Sequence, residues 1–146
     1  MENSNSSVEK VKKIKLDFKD SKYATGRRKR SIAKVWIKKG NGNIHVNGMK
    51  MNEYFKRPVH QIIVTRPLEI TQVSSNYDVK CSVKGGGLSG QAGAIILGIS
   101  KALIAHDENL KKNLKKDKLT TRDSRVVERK NYGHRIARRS FQFSKR

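Results

Sequence analysis

The residue pattern predicts a small mixed α/β domain, a two-layer arrangement with helices against one side of a sheet, followed by an extended basic tail. Three observations carry that expectation. Residues 31–39 and 77–83 alternate apolar and polar side chains, as half-buried strands do. Residues 91–105 place Ile95, Ile96, Ile99 and Leu103 at helical spacing, with Lys101 the only charge. Residues 121–146 crowd cations around so few apolar side chains that no core can form there.

The elements follow in order. Residues 1–21 read as a polar extension without an apolar signal core. They lack arginine and hold Glu2, Glu9, Asp17 and Asp20, which argues against a mitochondrial transit peptide; Ile14, Leu16 and Phe18 suggest an extended piece. In residues 31–39, Ala33, Val35 and Ile37 share one face, and Lys34, Trp36 and Lys38 the other. Gly40-Asn41-Gly42-Asn43 tolerates positive φ, and Ile44 and Val46 alternate behind it, so the two runs are expected to form a hairpin. Asn47-Gly48 marks the next turn. Residues 52–64 read as helix, restarted at Pro58 and ended by Pro67, with Leu68 and Ile70 suggesting a short strand. Tyr77, Val79, Cys81 and Val83 form the clearest strand, stopped by Gly85-Gly86-Gly87 ahead of the apolar helix. Residues 108–118, rich in lysine, read as a second and exposed helix. The expected division is an extension at 1–21, an α/β domain at 22–120 and a basic tail at 121–146.

Charge restricts the partners. The 146 residues carry 34 Lys and Arg against 12 Asp and Glu, a formal charge of +22. Self-repulsion at that charge disfavours compaction, so a polyanion is expected in the native state. A membrane surface is the weaker candidate, since neither a continuous apolar span nor a sustained amphipathic basic helix is expected. Nucleic acid is favoured. Cys81 is the lone cysteine and the four histidines (His45, His60, His106, His134) are scattered, so neither a disulfide framework nor a metal site is expected.

Five local features bear on chemistry. Gly85, Gly87 and Gly90 fit G-x-G-x-x-G, but the segment after the helix is lysine-rich rather than an apolar strand ending in an acid. No nucleotide cofactor is expected; a tight turn, or bare amides offered to an RNA phosphate, suits the run better. Arg27, Arg28, Lys29 and Arg30 lead into a strand bearing Lys34 and Lys38, so the charge continues onto a surface fit for phosphate contact. Trp36 either stacks on a splayed base or covers apolar surface at the sheet edge. Asp78-x-Lys80 resembles the acid-x-lysine element of metal-dependent nucleases, yet both side chains fit the polar face of an alternating strand. Cys81, on the apolar face, reads as a small core residue.

Several blocks then occur together: ATGRRKRSIAKVWI, GNGNIHVNG, EYFKRP, RPLEIT, KGGGLSGQAGAIILGISKALI, TTRDSRVVERKNYG and RRSFQFSKR. In this order they closely resemble the ninth protein of the small ribosomal subunit, in its bacterial or organellar form, from Tyr23 to Arg146. The resemblance implies a fold like the second domain of the fifth small-subunit protein, with a left-handed βαβ crossover. It implies a non-catalytic protein without cofactors, bound to ribosomal RNA and neighbouring proteins in the subunit head. It further implies that Ser144, Lys145 and Arg146 contact transfer RNA in the peptidyl site. The cations expected on ribosomal RNA are Arg27, Arg28, Lys29, Arg30, Lys34, Lys38, Arg122, Arg125, Arg129, Lys130, Arg135, Arg138 and Arg139. Fully extended, the tail spans roughly 80 Å at about 3.3 Å per residue, enough to join a peripheral domain to a distant centre. Three positions depart from the family pattern: Ala24 replaces a common glycine, and Ser140-Phe141 stands where arginine and proline are common. A magnesium-dependent nuclease using Asp78 and Lys80, and a free nucleic-acid-binding regulator, are the alternatives.

Overall fold

The computed structural model describes residues 18–145. Ile14, Leu16 and Arg146, named above, lie outside the described residues. Five strands form one mixed sheet in the order β1-β2-β5-β3-β4. They are β1 Lys22–Arg28, β2 Ser31–Lys39, β3 Ile44–Val46, β4 Met49–Lys50 and β5 Tyr77–Lys84. The helices are α1 Met51–Tyr54, α2 Pro58–Ile70, α3 Leu88–His106 and α4 Lys111–Lys116.

Alternation fixes which sheet face is covered. Ala33, Val35 and Ile37 of β2 and Val79, Cys81 and Val83 of β5 are buried against the helices. Their neighbours Lys34, Lys38 and Lys84 stay in water. Across that covered face lies α3, with Ala94, Ile95, Ile99 and Leu103 fully enclosed. By length and composition alone this 19-residue helix is apolar enough to cross a membrane, contrary to the expectation of no such span. Here sheet and helices hide most of its circumference, which makes it the core helix of the domain. Each enclosed Ile or Leu contributes roughly 1.5–3 kcal/mol by leaving water.

Strand β1 is absent from the sequence reading, which saw only a basic run before β2. It pairs antiparallel with β2 over its whole length, from Lys22 opposite Ile37 to Arg28 opposite Ser31. Its inward positions, Ala24, Gly26 and Arg28, carry little apolar signal because the helix approaches too closely for large side chains. A Cβ on Gly26 would overlap the Ala94 carbonyl and crowd the Gly98 amide. Small residues at the contact let strand and helix backbones touch.

The expected hairpin between β2 and β3 does not form. Strand β5 lies between them, antiparallel to β2 and parallel to β3. The connecting loop is fastened to the start of β5: the Gly40 amide donates to the Asn76 carbonyl (3.0 Å), and Val79 donates to Asn43 (2.8 Å). Asp78 Oδ1 accepts from the amides of Asn41 (3.0 Å) and Asn43 (2.8 Å). A flexible Gly-Asn loop is thus a step across the end of a third strand. The Asn47-Gly48 turn is where it was expected, joining β3 to β4.

Pro67 does not end α2, and Leu68 and Ile70 are not a strand. The helix runs to Ile70, with Val64, Pro67 and Leu68 buried at spacings of three and four. Burial on that face outweighs the backbone hydrogen bond that proline cannot donate. The helix stops one residue later, where Thr71 Oγ1 donates to the Pro67 carbonyl at 2.8 Å. Helices α1 and α2 carry the chain from β3 and β4 back to the parallel strand β5, closing a βαβ unit. The lysine-rich segment after α3 splits into a 3-10 turn, Glu108–Leu110, and α4, whose fully buried Leu114 pins an otherwise exposed helix.

Candidate nucleic-acid interface

Three basic regions surround this core. The first is the β1–β2 turn, where Lys29 adopts a positive φ of 51°. Arg27, Lys29 and Arg30 are exposed there, free to meet a polyanion. Arg28 is not: its side chain folds over Gly93 of α3, and its guanidinium stands 3.7 Å from the Asp123 carboxylate. That residue ties strand, helix and tail together.

Beside this turn is the glycine run. Gly85 and Gly86 both have positive φ (75° and 63°), and a Cβ on Gly86 would overlap Ser31 Oγ. The buried Ser31 hydroxyl donates to the Gly85 carbonyl at 3.0 Å, locking the turn to the start of β2. A cavity of about 430 Å³ opens here between Lys29, Arg30, Gly87 and Ser89, with Val126 and Val127 of the tail along its edge. The run serves as a strand-to-helix turn, and Gly87 precedes α3 at its N-cap position without a side-chain cap.

The second region is the uncovered sheet face. Lys34 and Lys38 are exposed on it, on either side of half-buried Trp36. Lys84 joins them at the end of β5; alternation along the strand places it on the polar face, although it is not among the cations expected on ribosomal RNA.

The tail is the third. Among the described residues beyond 120 no helix or strand forms, apart from a single bridge between His134 and Ser140. Arg122, Arg125, Arg129, Lys130, Arg135, Arg138 and Arg139 are all exposed. Two of them are paired within the tail. Asp123 accepts from Arg125 Nε (3.0 Å) and Nη2 (2.7 Å). Glu128 accepts from Arg138 Nε (2.8 Å) and Nη2 (2.6 Å). The Arg125 hydrogen bonds hold the Asp123 carboxyl well below the ordinary carboxylate range, and Arg138 likewise lowers Glu128. Between the members of the second pair the chain folds back: Asn131 Nδ2 donates to the Ala137 carbonyl (2.8 Å) and the Arg135 amide to Arg139 (2.7 Å). This loop shortens the reach below that of a fully extended tail. Beyond it Ser144 and Lys145 are exposed.

The residues weighed for catalysis are otherwise employed. Asp78 holds the Asn41 and Asn43 amides, so its carboxylate has a structural task. Cys81 is buried, and desolvation raises its thiol pKa far from any thiolate role. Among the described residues no three His, Cys, Asp or Glu side chains gather into a metal-binding group.

A domain with a packed helical side, cations on its turns and open face, and a charged tail without a core defines a polyanion-binding structural protein. The chain belongs to the ribosomal protein S9/S16 family, whose model matches residues 26–146. It is a structural protein of the small ribosomal subunit, where it binds ribosomal RNA alongside other ribosomal proteins.

Proposed function

We propose that the tail carries the end of this chain to transfer RNA in the peptidyl site, after exposed arginines have anchored it on ribosomal RNA. The observation behind this reading is the tail itself, which beyond residue 120 forms no helix or strand among the described residues and keeps its cations in water as far as Lys145. Arg27, Lys29, Arg30, Lys34 and Lys38 hold the domain on ribosomal RNA in the head of the subunit. Arg28 serves through the tail it orients. Arg122, Arg129, Lys130, Arg135 and Arg139 meet phosphates along the way, and RNA competes with Asp123 and Glu128 for Arg125 and Arg138. Ser144, Lys145 and Arg146 then contact the transfer RNA backbone without reading bases, as a site serving every transfer RNA requires.

The role is one of binding and positioning, with no reaction catalysed. The motif blocks favour a ribosome of bacterial or organellar type, with other head proteins as neighbours. Deletion of residues 144–146 is expected to leave subunit assembly intact while weakening peptidyl-site transfer RNA binding. Reconstituted subunits carrying the shortened chain, assayed by filter binding and by misreading of a reporter codon, test this. Unchanged affinity and fidelity would overturn the role of the tail.

A further inference from the structure

The uncovered sheet face carries an inference that rests on the ribosomal RNA-binding reading. Its outward residues combine aromatic rings with cations. Trp36 stands opposite Tyr23 on one side and Lys80 on the other, and Lys34 stands opposite Ser82. The Tyr23 and Trp36 rings lie 5.3 Å apart at 42°. Lys80 Nζ is 6.0 Å from the Trp36 ring centre and 5.7 Å from that of Phe18. Tyr23 is 48% exposed and Ile32 43%, two large apolar side chains left in water on this face, one to each side of the Thr25–Lys34 rung. A cavity of about 350 Å³ opens beside Trp36, floored by Ile32 and Ser82 and flanked by Lys34 and Lys84.

We infer that this face is a stacking platform for unpaired RNA, with a base seated beside Trp36 and its flanking phosphates held by Lys34 and Lys84. Rings attract the flat surfaces of bases and lysines attract the backbone, so the two residue types together match a single strand. A duplex keeps its base faces stacked and offers the rings nothing. Charge also selects the occupant. Among the described outward residues of β1, β2 and β5, Asp78 is the only acid, and its Oδ1 is already held by two backbone amides. Residues 1–17 of the chain hold Lys10, Lys12, Lys13 and Lys15 against Glu2, Glu9 and Asp17, too near neutrality to complement a basic face.

Trp36 is the only tryptophan, so its emission reports on this face alone. The full chain is titrated with an unstructured ribo-oligonucleotide and with an RNA duplex of equal phosphate number. The unpaired RNA is expected to quench Trp36 saturably, and the duplex to bind without quenching. Trp36→Leu is expected to weaken single-strand binding about ten-fold, the loss of one stacked base, with duplex binding unchanged, while Trp36→Phe keeps most of the affinity. Replacing Lys34 and Lys84 together by glutamine is expected to lower the salt dependence of single-strand binding by about two counterions. Should Trp36→Leu fail to fold, wild-type quenching and the double lysine variant still decide. Equal binding of both RNAs with unchanged Trp36 emission would overturn the platform while leaving RNA binding in place. Failure to bind either RNA at low salt would overturn the RNA-binding reading itself. A Trp36 already shielded from acrylamide in the free full chain, and unaffected by RNA, would assign the face to residues 1–17 and likewise overturn the platform.

Discussion

At the scale of single residues, close approach governs more than bulk. Gly26 matters because strand β1 meets α3 backbone to backbone, with Ala94 and Gly98 on the other side. Gly26→Val is expected to cost about 1–3 kcal/mol, since neither backbone can move without disturbing the sheet. Urea denaturation in high salt, where self-repulsion is screened, measures this; an unchanged midpoint would remove the close contact from the account. Tyr77 shows the milder case. Its hydroxyl donates to Asp107 Oδ2 at 3.1 Å, and its pKa is raised by burial first and by Asp107 second. Tyr77→Phe is expected to cost about 1 kcal/mol in the same assay, because Asp107 is half exposed and water replaces the lost donor.

At the scale of elements, one charge pair fastens the tail to the domain and another folds the tail on itself. Arg28 of β1 faces Asp123, and Arg138 closes a loop on Glu128. Asp123→Asn is expected to shift the thermal midpoint little, since about a third of each side chain of the pair still meets water, while backbone order falls over residues 121–127. Nitrogen relaxation by NMR reads that order; undiminished rigidity would show that the pair does not guide the tail. Both carboxyl pKa values lie below their ordinary positions, so the pairs are intact at neutral pH. Their contribution is present above the range where free carboxylates titrate and is lost progressively as pH falls from that range through the lowered values. Carbon-detected titration of the two side chains checks the sign; ordinary pKa values at both would contradict the pairing. The same scale shows what the sequence could express. Strands β2 and β5 were legible because one face of each is apolar at a period of two, and α3 because it is apolar around most of its circumference. Strand β1 was not, since a contact made by Gly26 and Ala24 leaves no hydrophobic signal. Pro67 misled because helix burial is a tertiary fact, and the supposed β2–β3 hairpin because strand order depends on where β5 inserts.

At the scale of the whole molecule, charge dominates. A formal +22 on 146 residues is held by a core on one side of a five-stranded sheet, and cations fill the turns, the uncovered face and the tail. That much of the charge distribution was readable from composition and from the runs at 27–30 and 121–146. The inward turn of Arg28, and the capture of Arg125 and Arg138 by tail carboxylates, required three-dimensional neighbours. A protein built this way is expected to be held in its particle by many phosphate contacts fixed by shape, rather than by diffuse attraction alone. Sedimentation of small subunits through a high-salt sucrose gradient tests this most directly, because loose electrostatic binding falls steeply with salt. The account predicts that the chain stays with the small subunits after the wash. Its release into the light fractions would contradict an integral, RNA-anchored role.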